Sequence, residues 1–325
     1  MSTDDYLSRL VSVGLLKPGE TAAVQPLSGG VSSDIVRVTT TSVDLVIKAA
    51  LPKLKVRDDW FADVGRNKVE QAYLEFAATI VPESVPQVIA TGEDWFAMEY
   101  LGNELRVWKS ELMNGTWDVA IAEQAGEVLG RLHAASWCHR ELAGRFATDD
   151  NFHSLRIEPY LLKTAERVPE VAAILQAEAR RLSETKVALV HGDFSPKNLL
   201  VNRERLVVLD AECAWYGDPA FDTAFLLTHL FLKALLHSET AKLVESFWNS
   251  YHAQVTEDTS ERTVLLVLCL MLARVHGKSP VEYLDARQQG IITEFCLAHL
   301  PKPPQNIAAL LHLYENHLAG RSSDF

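Results

Sequence analysis

Cysteine is scarce in this 325-residue chain: Cys138, Cys213, Cys269 and Cys296 stand far apart, with no Cys-x-x-Cys among them. That excludes a disulfide framework and a thiolate metal site, and it fits reduced thiols in a cytoplasmic protein. Long hydrophobic runs are missing too. Val264–Ala273 is too short to span a bilayer, and Phe225–Leu236 is interrupted by Thr228, His229 and Lys233, so both are expected as core helices. The opening MSTDDYLSRL is acidic and polar, unlike a secretory signal, and no membrane partner is expected. Positive charge is in deficit, with 31 Lys and Arg against 43 Asp and Glu, a formal net charge of −12. A nucleic-acid surface is therefore not expected, whereas a cationic substrate would suit the balance. There is no internal repeat or low-complexity tract. With 48% hydrophobic residues and this length, the chain can bury a large core in two lobes, as a monomer or homodimer.

What is present is concentrated in residues 191–212, HGDFSPKNLLVNRERLVVLDAE. Val187–Val190 is a β-type run that ends at His191. Leu199–Val201 and Leu206–Leu209 are two more, separated by the polar Asn202-Arg203-Glu204-Arg205, which reads as a hairpin turn. A hairpin brings its outer ends together, so Asn198 and Asp210 become neighbours. Both offer oxygen ligands, which a hard cation such as Mg2+ prefers. Asp193 stands one loop earlier, within reach of an incoming hydroxyl. Asp, then Asn five residues on, then a second Asp after a hairpin is the spacing of a kinase catalytic centre, with the first Asp as base and the other two on metal. Gly192 stands where protein kinases carry Arg, and Asp210-Ala211-Glu212 where they carry Asp-Phe-Gly.

The rest of the chain divides in character. Residues 4–13 have the spacing of a short amphipathic helix. Ala22–Leu27, Asp34–Thr39 and Val43–Lys48 are β-type, residues 64–80 helical, and Gln87–Thr91 and Trp95–Glu99 a further strand pair. Beyond Leu101, helical spacing dominates over residues 116–138, 170–185, 219–237, 240–254, 260–276, 286–299 and 305–318, and β signal returns only at 187–190 and 199–209. The expected class is α+β and bilobal. An antiparallel-sheet N-lobe (residues 1–101) is joined by a hinge near 99–103 to a helical C-lobe (residues 102–325), with a cleft between them.

A kinase also needs donors over the nucleotide phosphates and a lysine to position them. Leu27-Ser28-Gly29-Gly30-Val31-Ser32-Ser33 lies between two strands; Gly29 and Gly30 permit close backbone approach, and Ser32 and Ser33 add hydroxyl donors. Lys48 ends the third strand, where protein kinases keep theirs. Glu70, in the first turns of the next helix, is the expected ion-pair partner. Glu99 and Leu101 belong to the hinge, whose backbone can pair with adenine.

With both halves assembled, the chain resembles the aminoglycoside phosphotransferase/choline kinase family, the small-molecule branch of the protein-kinase-like fold. HGDFSPKN, LDAE and Gly217-Asp218-Pro219-Ala220-Phe221-Asp222 carry the resemblance. It implies ATP (or another nucleoside triphosphate) and Mg2+ as cofactors and transfer of the γ-phosphoryl group to a hydroxyl of a small molecule. Asp193 would be the base, Asn198 and Asp210 the metal ligands and Lys48 a phosphate contact. Asp218 and Asp222 would brace the loops. Glu212, Trp215 and Arg274 are candidate acceptor contacts. The segment VIKAALPKLKVRDDW (residues 46–60) also resembles 5-methylthioribose kinase, a sugar kinase of the same family that holds its substrate with two adjacent arginines in a late helix; here the matching stretch has Arg274 alone.

Three rivals fare worse. A protein kinase needs a long activation segment, and Tyr216-Gly217-Asp218-Pro219 follows Asp210 almost at once. A non-catalytic nucleotide-binding pseudokinase is expected to lose Lys48, Asp193, Asn198 or Asp210, and all four are present. A metal hydrolase lacks its signature, since no His-x-x-x-His pair with a glutamate occurs.

Overall fold

The computed structural model describes residues 2–27, 33–50, 65–237 and 239–321. Gly29, Gly30 and Ser32 of the expected phosphate loop, and residues 51–60 of the 5-methylthioribose-kinase-like segment, lie outside the described residues.

Helix α1 (Thr3–Ser12) starts at a capping box: Ser2 Oγ accepts from the Asp5 backbone N–H, and the Asp5 carboxylate accepts from that of Ser2. There follow β1 (Ala23–Pro26), β2 (Ser33–Thr39), β3 (Asp44–Ala50), α2 (Arg66–Ile80), β4 (Val88–Thr91) and β5 (Trp95–Glu99). The five strands form one antiparallel sheet in the order β1-β2-β3-β5-β4. The two-residue period of a strand sorts their side chains. Leu45, Ile47 and Ala49 of β3, with Trp95 and Ala97 of β5, pack beneath Tyr6 and Leu10 of α1. Val46, Phe96 and Met98 face the other way and join Tyr73, Leu74 and Ala77 of α2. Lys48 has the parity of Val46, so β3 aims it at α2. Glu70, Tyr73 and Ala77 are three and four residues apart, hence on one buried helical face, and that face turns Glu70 towards Lys48.

The remainder is mostly helical. It runs β6 (Arg106–Val107), α3 (Trp108–Met113), α4 (Val119–Ser136), α5 (Arg140–Arg145), α6 (Asp149–Phe152), a π-helical segment (His153–Leu162), α7 (Lys163–Arg167), α8 (Ala172–Glu184), β7 (Ala188–Val190), β8 (Leu199–Val201), β9 (Leu206–Val208), β10 (Trp215–Gly217), α9 (Ala220–Ala234), α10 (Thr240–His252), α11 (Ser260–His276), α12 (Ala286–His299) and α13 (Ile307–Ala319). Every residue from Ala220 to Lys233 of α9 is buried, which is why its apolar run is a core helix. Among the described residues no helix is long and apolar enough to cross a membrane. Helix α4 lies against α10 at close range: a Cβ on Gly126 would stand 2.3 Å from the Phe247 carbonyl oxygen.

Helices α4 and α8 to α13 fall within two or three residues of the expected spans at either end. Four features differ from expectation, the first being helix α3, which lies outside every expected span. β6 pairs with β8 and β10 with β7, so β structure also occurs outside 187–190 and 199–209; strands of two and three residues are too short to show a period. Residues 139–169, where no regular period is evident, form α5, α6, the π-helical segment and α7.

Candidate active site

The catalytic-loop spacing becomes geometry at the end of β7. His191 and Gly192 leave the strand with their backbone N–H groups donating to the two carboxylate oxygens of Asp222, at 2.6 and 2.9 Å. Asp222 lies in the first turn of α9, also faces His133 Nε2 at 3.3 Å and braces the loop, whereas Asp218 pairs with Arg181 and Arg262. Gly192 adopts φ +78°, and a Cβ there would lie 2.4 Å from the Cys213 carbonyl oxygen. Both conditions demand glycine, which accounts for Gly in place of the protein-kinase Arg.

His191 is buried, and burial lowers its pKa below the usual histidine value. Its Nδ1 accepts from the Asp193 backbone N–H (3.1 Å) and its Nε2 faces the Leu209 carbonyl (3.1 Å), which assigns a neutral ring carrying its proton on Nε2. One imidazole thereby ties the backbone of the base to the strand end next to Asp210. Asp193 is 5% exposed. Burial raises its carboxyl, but Lys197 (2.8 Å) and Arg156 (3.1 Å) outweigh it and hold Asp193 below the usual carboxylate range. Asn198 Nδ2 donates to the Asp193 carbonyl at 3.0 Å, which leaves its side-chain oxygen available.

The hairpin of β8 and β9 does what its sequence implied. The Leu209 N–H donates to the Asn198 carbonyl at 2.9 Å, placing Asn198 beside Asp210. Asp210 has φ +66°, a left-handed conformation costing a non-glycine residue about 1–3 kcal/mol. Its Oδ1 is 2.5 Å from Lys48 Nζ, and Lys48 also reaches Glu70 at 2.7 Å. Lys48 is 2% exposed. Burial alone would lower its pKa, yet Asp210 and Glu70 raise it above the ordinary lysine value, so it carries a full charge. Burial would raise Asp210, but Lys48 and then Lys197 hold it well below the usual carboxylate range. The Glu70 carboxyl is pushed up by burial, against the pull of Lys48.

Two cavities meet here. One, of about 260 Å3, is lined by Lys48, Glu70, Glu99, Leu101, Asn198 and Asp210. The apolar side chains of Ile35, Val46 and Met98 from the sheet and Leu200 and Leu209 from the hairpin complete it, a lining suited to a flat heteroaromatic ring. Glu99 lies beside Arg205 at 3.2 Å. Ser33 heads β2 with its hydroxyl buried and, among the described residues, without a hydrogen-bond partner. The other cavity, of about 80 Å3, is lined by Asp193, Lys197, Tyr160, Lys233, Arg274 and Tyr283, among others. Asp193, Asn198, Asp210, Lys48 and Glu70 are thus brought to one place, and Arg274 to the second cavity beside the base. Trp215 is not: it is a core residue of β10, stacked on Phe152 at 4.1 Å and donating through Nε1 to Asp149 at 2.9 Å, and it lines neither cavity. Glu212 pairs with buried Arg66 at 3.0 Å.

Several site residues lay outside the sequence expectation. Lys197 had a local signal, sitting four residues after Asp193. Arg156 and Tyr160 had none: the π-helical segment presents both, Arg156 to Asp193 and Tyr160 to the second cavity. Lys233 reads in sequence only as an interruption of an apolar run.

Residues 23–265 match the phosphotransferase enzyme family, APH. A methylthioribose kinase of Exiguobacterium sibiricum is 25% identical over 77% of this chain and 72% of its own length, and one from Yersinia pseudotuberculosis 24% identical over 70% and 66%. Among solved structures, a Plasmodium vivax ethanolamine kinase superposes with a TM-score of 0.55 at 10% identity, covering 98% of this chain and 86% of that one. An amicoumacin kinase in complex with AMP-PNP and Ca2+ gives 0.53 at 14% identity, covering 93% and 97%. These likenesses show the fold, a bilobal protein-kinase-like one with an antiparallel sheet in its N-terminal part and a mostly helical remainder. The chain belongs to the phosphotransferase enzyme family, as a small-molecule kinase whose acceptor is an alcohol.

Proposed function

We propose that the protein transfers the γ-phosphoryl group of ATP to a hydroxyl of a small molecule, with residues 1–101 supplying the nucleotide side of the cleft and residues 102–325 the catalytic loop and acceptor side. The observation that carries the reading is the buried chain Glu70–Lys48–Asp210, which joins the sheet, helix α2 and the hairpin at the mouth of the larger cavity. Its apolar walls would take the base, with the backbone around Glu99 and Leu101 at its edge. Lys48 would bear on the phosphates.

Asp193 orients the acceptor hydroxyl and takes its proton. The hydroxyl oxygen forms a bond to the γ-phosphorus as the bond to ADP breaks, and ADP leaves with that electron pair. Asp193 is suited to this because its carboxylate stays ionised. Asn198 and Asp210 would hold Mg2+. The donor set fits: both are oxygen donors flanking one hairpin, and nucleotide phosphates would supply further oxygens. When bound, the ion offsets charge that develops on the phosphates. Replacing Asp210 with Ala should abolish Mg-ATP turnover while the far-ultraviolet spectrum remains that of the folded protein; retained turnover would sink the assignment.

A methylthioribose-kinase-like reading of the acceptor is supported by the Exiguobacterium and Yersinia relatives. Arg274 at the second cavity is compatible with it. Direct assay with methylthioribose decides this.

A further inference from the structure

The cavity beside Asp193 has an uneven charge inventory. Its lining holds four cations, Lys109, Lys197, Lys233 and Arg274, and two carboxylates, Asp193 and Glu282. Each carboxylate already has a lysine: Lys197 lies 2.8 Å from Asp193, and Lys109 bonds Glu282. Lys233 and Arg274 are left over. Among the described residues Lys233 meets only the His229 carbonyl and the Tyr283 hydroxyl, both at 3.4 Å, and the Tyr283 ring. It is 1% exposed. Arg274 bonds the Ser279 carbonyl, the Ser279 hydroxyl (3.1 Å) and the Tyr160 hydroxyl (3.4 Å), and among the described residues its buried Nε has no partner. His229 adds no further positive charge, since burial, reinforced by Lys233 and Arg274, keeps its ring neutral.

A buried ammonium with no counter-ion is costly and is ordinarily paired or discharged. Burial, with Lys109 and Arg274 close by, outweighs the pull of Glu282 and pushes the Lys233 pKa down to about 7. The cavity therefore stands part-way to discharge, and an incoming anion would restore the full charge. From this imbalance we infer that the acceptor is a small hydroxylated anion, its carboxylate or phosphate held by Lys233 and Arg274 and its hydroxyl presented to Asp193. The inference rests on the phosphotransfer reading above and narrows it: it favours an anion over neutral methylthioribose, and cationic amino sugars and amino alcohols are excluded, although the chain's net charge of −12 alone would have favoured them.

The test uses acceptor series matched except for charge: gluconate, sorbitol and glucamine, then glycerate, glycerol and aminopropanediol, with glycerol phosphate separating phosphate esters from carboxylates. Calorimetric binding of each probe and of Mg-ATP is measured on the full chain, with ADP release alongside. At least one anionic probe should bind and be turned over with kcat/KM at least about tenfold above its neutral and amine partners. Lys233→Met and Arg274→Met should each raise the KM for that anion by about tenfold or more, whereas Lys233→Arg should keep it near wild type. Preference for an amine, or failure of every anionic probe to bind while Mg-ATP binds, overturns the inference. Failure of Mg-ATP itself to bind strikes instead at the phosphotransfer reading, and the anion titration then judges the cavity alone.

Discussion

The ammonium of Lys48 stands 2.5 Å from Oδ1 of Asp210, a residue 162 positions away in the chain. That contact joins the central strand of the sheet to the end of the catalytic hairpin, and with Glu70 at 2.7 Å it forms a buried acid–base–acid row. Lys48→Met should lower kcat/KM for ATP by about a hundredfold or more, because a preorganised charge at the phosphates is lost. It also leaves Glu70 buried without its cation, a change worth about 3–5 kcal/mol in stability, so the melting temperature should fall as well. Lys48→Met with Glu70→Gln should recover much of the stability and none of the activity. Denaturant midpoints and steady-state rates on the three variants separate the two effects.

Asp222 holds the backbone N–H groups of His191 and Gly192 in one carboxylate. Asp222→Ala leaves both donors buried and unpaired, at about 1–3 kcal/mol each. Urea denaturation should show that loss. Residual enzyme should have a lower kcat with little change in the KM for ATP, since the base moves while the nucleotide cavity does not.

Gly192→Ala places a Cβ 2.4 Å from the Cys213 carbonyl oxygen at φ +78°. A shift of the Asp193 loop is unavoidable, and the variant should be both destabilised and nearly inactive. A wild-type melting curve with wild-type activity would show that the loop does not need this conformation.

The pH dependence follows from Lys197 and Arg156. They hold Asp193 below the usual carboxylate range against burial, so the base stays ionised through mildly acidic pH. The corresponding stability is present above the unfolded carboxylate pKa and lost as pH falls through the lower folded value. Lys197→Met removes one cation and leaves burial in place. The Asp193 pKa must then rise, and the acidic limb of the kcat/KM profile must move to higher pH. A profile that scales down without shifting would separate Lys197 from the base.

Much of this site was legible because its parts are local. The HGD spacing, Asn198 and Asp210 are organised by one short hairpin, and strand parity together with a helical face sets Lys48 against Glu70. Arg156, Lys109 and Lys233 come from three separate stretches that only tertiary packing brings together, so no spacing announces them, and Arg274 is reached through the family resemblance alone. The π-helical segment follows neither the 3.6 nor the two-residue period, and β6 and β10 are too short to show one. Trp215 illustrates the reverse difficulty: an aromatic beside the catalytic motif looks like a pocket wall in sequence, and pairing of β10 with β7 makes it core.

The most direct test of the account is Asp193→Asn, which keeps shape and removes the base. Mg-ATP affinity by calorimetry and ADP formation in the presence of an accepted alcohol should be measured on the same preparation. The account predicts nucleotide affinity within about threefold of wild type, with turnover lower by about a hundredfold to ten-thousandfold. Retained turnover, or loss of nucleotide binding together with turnover, would contradict it.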